Sequence, residues 1–179
     1  VVVFTSDNGT TSLRAQVDAD LFDSVGHLRG LKGEIYEGGI RVPFVARWPG
    51  RIPSGTSSDL PAAHYDLPVT LAEIATVPYK EKTDGVSLLS TLLGKASAQK
   101  KHDFLFWDFA GSGGQVAVRK DQWKGIRRNM RRNPGAPLQL YNLQNDPGEK
   151  HNVANDHPEV VEQIEKIIAT ERRMPAVEK

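Results

Sequence analysis

A chain of 179 residues with 39% hydrophobic and 25% charged residues has a globular balance, neither disordered nor membranous, and its formal net charge of +1 gives no bulk electrostatic case for nucleic acid or anionic lipid as a partner. The absence of cysteine excludes disulfides, thiolate metal sites and a cysteine nucleophile within these residues. No apolar run approaches the roughly 18 residues of a membrane helix, and no basic-then-apolar leader opens the sequence.

In chain order, Val1 to Phe4 is a continuous apolar, β-branched run, as in a strand buried on both faces of a helix-covered parallel sheet. A chain opening inside such a strand, without Met or cap, is expected to be cut from a longer one, with any localisation signal upstream. Thr5 to Asp23 is polar, carries Asn8-Gly9 and reads as a loop. Ile40 to Trp48 reads as a second core strand, which Pro43 places at a sheet edge or delays to near Val42. Pro49-Gly50 and Pro53-Ser54-Gly55 mark turns. Asp66 is the expected N-cap of a helix with Leu67, Leu71, Ile74 and Ala75 on one face, stopped near Val77-Pro78. Leu88, Leu89, Leu92 and Leu93 suggest a short apolar helix ended by Gly94. The polar, basic stretch Lys95 to Lys101 is the candidate boundary, dividing the chain into 1–95 and 96–179.

Beyond it, Phe104 to Phe109, Gln115 to Arg119, Trp123 to Arg128 and Leu138 to Tyr141 read as short strands, the second and third joined by a hairpin-length turn at Lys120-Asp121-Gln122. Asp156-x-x-Glu159 has the spacing of a capping box, ahead of a helix with Val160, Val161, Ile164, Ile167 and Ile168 on one face. The expected architecture is part of an α/β core, then a small antiparallel sheet with a packed C-terminal helix.

Two stretches carry candidate chemistry. Thr5-Ser6-Asp7-Asn8-Gly9 follows the first strand directly, where open α/β sheets bind ligands. The Asp7 carboxylate and the Asn8 amide oxygen are hard donors suited to Ca²⁺ or Mg²⁺, yet two oxygens leave most of a shell of roughly six to eight unfilled. Asp-Asn-Gly is also good turn chemistry, so both readings stand. In Leu28-Arg29-Gly30-Leu31-Lys32-Gly33-Glu34-Ile35-Tyr36-Glu37-Gly38-Gly39-Ile40-Arg41-Val42-Pro43, four glycines within ten residues indicate positive φ or close backbone approach. Lys32, held between Gly30 and Gly33, can aim its ammonium at an anion, or can be a surface lysine in a loop.

The order of these pieces closely resembles the type I, formylglycine-dependent sulfatases, whose pattern runs SDNG, then LRGGKG-x-x-(Y/W)-EGG-(I/V)-R-(V/E)-P, then a strand and WPG. Asp66-Leu67 with Thr70-Leu71, Asp84-Gly85-Val86-Ser87-Leu88, Leu140-Tyr141-Asn142-Leu143, Asp146-Pro147-Gly148-Glu149 and Asn152-Val153-Ala154 resemble later family motifs in the same order. The resemblance implies an alkaline-phosphatase-like α/β fold with a small C-terminal antiparallel subdomain. It further implies hydrolysis of sulfate esters or sulfamates, a bound divalent metal, usually Ca²⁺, and a formylglycine nucleophile made in a C/S-x-P/A-x-R motif. Carried onto this sequence, it makes Asp7 and Asn8 metal ligands and Lys32 a catalytic, sulfate-contacting cation. Sulfated small molecules or glycans are the implied partners, and a periplasmic, secreted or lysosomal setting the implied location.

The sequence departs from the family in holding no Cys, no Ser followed by x-(Pro/Ala)-x-Arg and no Asp-Asp-x-Gly near its start. The nucleophile and remaining ligands are therefore expected upstream. The chain alone is expected to be inactive, to bind Ca²⁺ poorly and to expose an apolar seam through which it self-associates. A phosphoryl-transfer member of the same superfamily and a non-catalytic anion- or glycan-binding module are the alternatives. His27, near the presumed site, is a substrate contact or a polar loop residue. The cluster Arg127-Arg128-Asn129-Met130-Arg131-Arg132-Asn133 either grips sulfated polysaccharide or forms a solvated hairpin loop. His64, His102, His151 and His157 show no metal spacing, and Glu37 and Arg41 are expected to organise the glycine loop.

Overall fold

The structure, a computed structural model, describes residues 1–11, 18 and 21–172. It forms two compact units, Val1–Asp7 with Pro43–Asp103, and Asn8–Val42 with Phe104–Lys179. A single cut near residue 95 does not separate them, because the glycine-rich segment before Val42 packs on the C-terminal sheet.

In the first unit, β1 (Val2–Thr5) pairs antiparallel with β2 (Phe44–Arg47), in the register Val2↔Arg47 to Thr5↔Phe44. The expected buried parallel strand is not formed here. The sheet has two strands, and Val2 and Phe4 are 63% and 65% exposed. A two-stranded ribbon offers few neighbours against which to bury either face. β2 begins only after Pro43, which has no N–H to give a ladder.

The helix α2 (Asp66–Ile74) and the short α3 (Leu89–Leu92) complete the main elements of this unit, with Gly94 in the left-handed region at φ +74° after α3. Asp66 is not the N-cap; Tyr65 holds that position, without a side-chain cap bond. Nor is the buried face of α2 apolar: Asp66 and Thr70 are buried, whereas Leu71 is 46% exposed. The polar pair takes the inner positions because it satisfies backbone donors. Asp66 Oδ2 accepts from the Ala63 amide at 2.8 Å, and Oδ1 from the Val86 amide at 2.9 Å. His102 Nε2 lies 2.8 Å from Oδ1. Thr70 Oγ1 donates to Asp66 O and accepts from the Leu88 amide. Asp66→Ala strands these groups and is expected to cost about 2–4 kcal/mol in urea unfolding; a loss under about 0.5 kcal/mol, the size of an ordinary surface substitution, would contradict this role.

In the second unit, β3 (Leu105–Phe109), β4 (Gln115–Lys120), β5 (Trp123–Arg127) and β6 (Gln139–Asn142) form an antiparallel sheet in chain order. Lys120 pairs with Trp123, so the hairpin loop is Asp121-Gln122, with Asp121 left-handed at φ +53°. The helix α4 (Pro158–Glu171) begins with Pro158 in its first turn and His157 at the N-cap, without a side-chain cap bond. The Asp156–Glu159 capping box is therefore not made; proline, which needs no donor there, sets the start instead.

Strand alternation sorts the core into two clusters. Val116, Val118, Leu138 and Leu140 pack with Ile164 and Ile168 of α4. A Cβ on Gly125 would lie 2.7 Å from Ile164 Cγ2, so the glycine lets α4 settle onto β5. On the other face, Ala117, Ile126 and Tyr141 pack with Ile35 and Tyr36. The glycine-rich segment thus covers the sheet opposite α4.

Candidate anion and metal site

The segment that covers the sheet turns through α1 (Glu37–Ile40), a single helical turn that ends on Ile40, the residue expected to open the second core strand. Its glycines are there for contact. A methyl group on Gly9 would collide with Gly38 O, one on Gly38 with Gly30 O, and one on Gly39 with Glu34 O. Gly30 and Gly33 are left-handed, at φ +86° and +89°. Backbone packed this closely is also bonded. The Gly38 amide donates to Arg29 O at 2.7 Å, the Gly9 amide to Gly39 O at 2.9 Å and the Lys32 amide to Thr10 O at 2.7 Å. Two stretches more than twenty residues apart are thereby joined directly behind Asn8 and at Lys32.

Asp7 is exposed and Asn8 partly buried, immediately beyond β1. Lys32 is exposed, and its side chain pairs with no acidic group among the described residues. His27 is exposed; its carbonyl abuts Gly148, where a Cβ would lie 2.8 Å away. No group of three or more His, Cys, Asp or Glu among the described residues is placed to hold a metal. Asp7 and Asn8 fit a hard cation by donor type, with most of its shell left to other ligands.

Beneath this loop lies a charged centre. Lys124 of β5 is fully buried, with Nζ 2.8 Å from Glu37 Oε1 and 2.9 Å from Glu149 Oε1. The second contact is coulombic, since Glu149 Oε1 receives no well-directed hydrogen bond. Glu149 Oε2 accepts from the Glu37 amide at 2.7 Å, at the start of α1. Burial raises the Glu149 carboxyl above its ordinary value, against the attraction of Lys124 and the bond from the Glu37 amide, which lower it. Glu37 does organise the glycine loop, as expected, whereas Arg41 engages it through its amide, bonded to Glu37 O.

Arg29 reinforces the same tie. It donates to Glu149 O at 2.9 Å and stacks 3.9 Å from the Tyr36 ring centroid. Tyr36 in turn donates to Gln139 Oε1 on β6. The sequence carried one signal for Lys124: it stands two residues before Ile126, on the same face of the strand, so an inward Ile126 turns Lys124 inward too. Glu149 had no such alternation signal, since its role rests on contacts with Lys124 and with Glu37 and Arg29, the last two more than a hundred positions earlier.

A family model described as N-sulphoglucosamine sulphohydrolase, C-terminal, matches residues 31–174. N-acetylgalactosamine-6-O-sulfatase of Bacteroides thetaiotaomicron is 31% identical over 185 residues, covering 94% of this chain and 35% of that protein. Human arylsulfatase A is 32% identical over 190 residues, covering 93% and 36%. The chain thus spans about a third of the length of these relatives. A solved structure from the Bacteroides thetaiotaomicron locus for metabolism of multiple glycosaminoglycans superposes with a TM-score of 0.71 at 28% identity, covering 94% of this chain and 38% of that one. The structure of Ps i-CgsB in complex with k-i-k-neocarrahexaose superposes with a TM-score of 0.74 at 25% identity, covering 94% and 35%.

Proposed function

The chain belongs to the sulfatase family, with the alkaline-phosphatase-like fold of that family, and from this premise we propose that it supplies the anion-holding part of a sulfuric ester hydrolase centre. Lys32 is the cation that faces the sulfate, and Asp7 and Asn8 are ligands of a Ca²⁺ ion. The observation that carries this reading is the pair of backbone bonds, Gly9 to Gly39 and Lys32 to Thr10, which fixes the Asn8 and Lys32 loops side by side.

A sulfate ester gains charge on its leaving oxygen as the S–O bond breaks. An ammonium on a preorganised loop stabilises that charge without having to reorganise during reaction. The glycines serve this by locking the loop, and the buried Lys124 centre by anchoring it. Bound Ca²⁺ supplies Lewis-acid polarisation of the sulfate oxygens. The formylglycine nucleophile belongs to sequence outside these residues, which hold neither Cys nor the Ser pattern it requires. The names of relatives favour a sulfated glycan as substrate class, since one is an N-acetylgalactosamine-6-O-sulfatase and another was solved with a carrahexaose.

With only two ligands, Ca²⁺ is expected to bind in about the millimolar range. An amide-resolved NMR titration is expected to shift Asn8 and Gly9, and the shifts to vanish in the Asp7→Ala/Asn8→Ala double variant. Shifts that persist in that variant would assign the metal elsewhere. In the same preparation, a chromogenic sulfate ester is expected to show no turnover by the chain alone.

A further inference from the structure

The basic run after β5 divides into cations that are engaged and cations that are not. Arg127 is paired with Glu165 of α4. Arg128 is paired with Glu34 at 3.1 Å, and its guanidinium lies 5.0 Å from the Tyr36 ring centroid. Both belong to the packing of the sheet. Arg131 and Arg132 are exposed, and neither is in an ion pair with a described residue. An unpaired arginine in water offers its fork of donors to an external oxyanion without first losing a protein partner.

These two arginines are mechanically continuous with Lys32. Gly33 O, beside Lys32, accepts from Ser112 Oγ at 2.8 Å and from Gln115 Nε2 at 3.1 Å. The loop carrying Ser112 then holds the arginine loop: the Arg131 amide donates to Gly113 O at 2.9 Å, and the Met130 amide to Gly114 O at 3.1 Å. Asn129, left-handed at φ +58°, turns the chain so that Met130 is buried while Arg131 and Arg132 face solvent. Three adjoining loops therefore present Lys32, Arg131 and Arg132 on one bonded framework.

We infer that Arg131 and Arg132 form an outer subsite for a second anionic group on the glycan whose reacting sulfate is held at Lys32. This rests on the proposed role of Lys32 and goes beyond it, because it assigns the substrate class: an oligosaccharide carrying at least two sulfate or carboxylate groups. Two oxygens of a tetrahedral sulfate, or the two of a carboxylate, can take the paired donors of the arginine fork, and a neutral neighbouring sugar gains nothing from it.

The test uses this chain and three oligosaccharides of equal length, one polysulfated, one monosulfated and one unsulfated, with binding measured by calorimetry at physiological salt. The polysulfated ligand is expected to bind about tenfold tighter than the monosulfated one, the size of two exposed charge contacts. Arg131→Ala/Arg132→Ala is expected to remove that preference while leaving monosulfated binding unchanged, and Arg131→Lys/Arg132→Lys to keep part of it. Lys32→Ala is expected to weaken both sulfated ligands alike. A wild type that does not discriminate, a double alanine variant that still does, or a short DNA duplex binding as tightly as the polysulfated glycan would overturn the subsite. Loss of the preference in the arginine variant together with no effect of Lys32→Ala would keep the arginine subsite and remove only the reading of Lys32.

Discussion

Lys124→Met is expected to lower the stability of the chain by about 3–5 kcal/mol at neutral pH, the largest effect of any single substitution in the C-terminal unit. The ammonium is fully buried between Glu37 and Glu149, and its removal leaves two carboxylates with no cation in a site closed to water. The attraction between the charges matters less here than what truncation leaves behind, since an isolated buried carboxylate is far more costly than a paired one. The same variant is expected to show a distinctive pH dependence. Burial already raises Glu149 in the folded protein. A raised carboxyl stabilises the fold fully below its ordinary value, where both folded and unfolded states are protonated, and loses that contribution as pH climbs through the raised value. Taking Lys124 away raises Glu149 further, so the deficit of the variant is expected to shrink on acidification towards about pH 4, near the ordinary carboxylate range. Urea unfolding at several pH values measures this. A deficit that is constant with pH would mean that Lys124 acts through packing alone.

Gly9→Ala acts on the site itself. A Cβ at residue 9 would collide with the Gly38 carbonyl, and the neighbours it meets are backbone, which cannot swing aside as a side chain can. Relief requires the Asn8 loop to separate from α1, which breaks the bond from the Gly9 amide to Gly39 O. The expected cost is about 1–3 kcal/mol of stability, together with loss of the Ca²⁺-dependent shifts at Asn8. Gly50→Ala is the control. Nothing lies within 4 Å of its Cβ position, although its φ of +74° disfavours a side chain. It is expected to cost about 1–2 kcal/mol from backbone strain while leaving Ca²⁺ binding intact. Equal loss of Ca²⁺ binding in both variants would separate the effect from the contact at Gly9.

Local patterning made much of the second unit legible in the sequence. The alternation around Val116, Ala117 and Val118, the Asp121-Gln122 turn and the spacing of Ile164 and Ile168 each encode an element and its inner face. The first unit was less legible. The run Val1 to Phe4 announces a strand, but its partner and burial depend on which other strands adjoin it. In α2, hydropathy pointed to Leu71 as inward, whereas the unpaired amides of Ala63, Val86 and Leu88 required acceptors and drew Asp66 and Thr70 inside. At the site, the glycine spacing revealed close approach but not the partner of that approach. That partner follows from geometry alone: Gly9 against Gly38 and Gly39, and Lys32 against Thr10. The spacing to Ile126 turns Lys124 inward, and only the positions of Glu37 and Glu149 give it a role.

The anion-holding role of the joined loops is tested most directly by titrating inorganic sulfate into the chain at saturating Ca²⁺ while following individual amide resonances. Asn8, Gly9, Lys32 and Gly33 are expected to shift together along a single binding curve, and Lys32→Ala is expected to weaken that curve by about tenfold, as for loss of one charge-assisted contact in a partly shielded site. Shifts at the two loops that saturate at different sulfate concentrations, or a curve unchanged by Lys32→Ala, would contradict it.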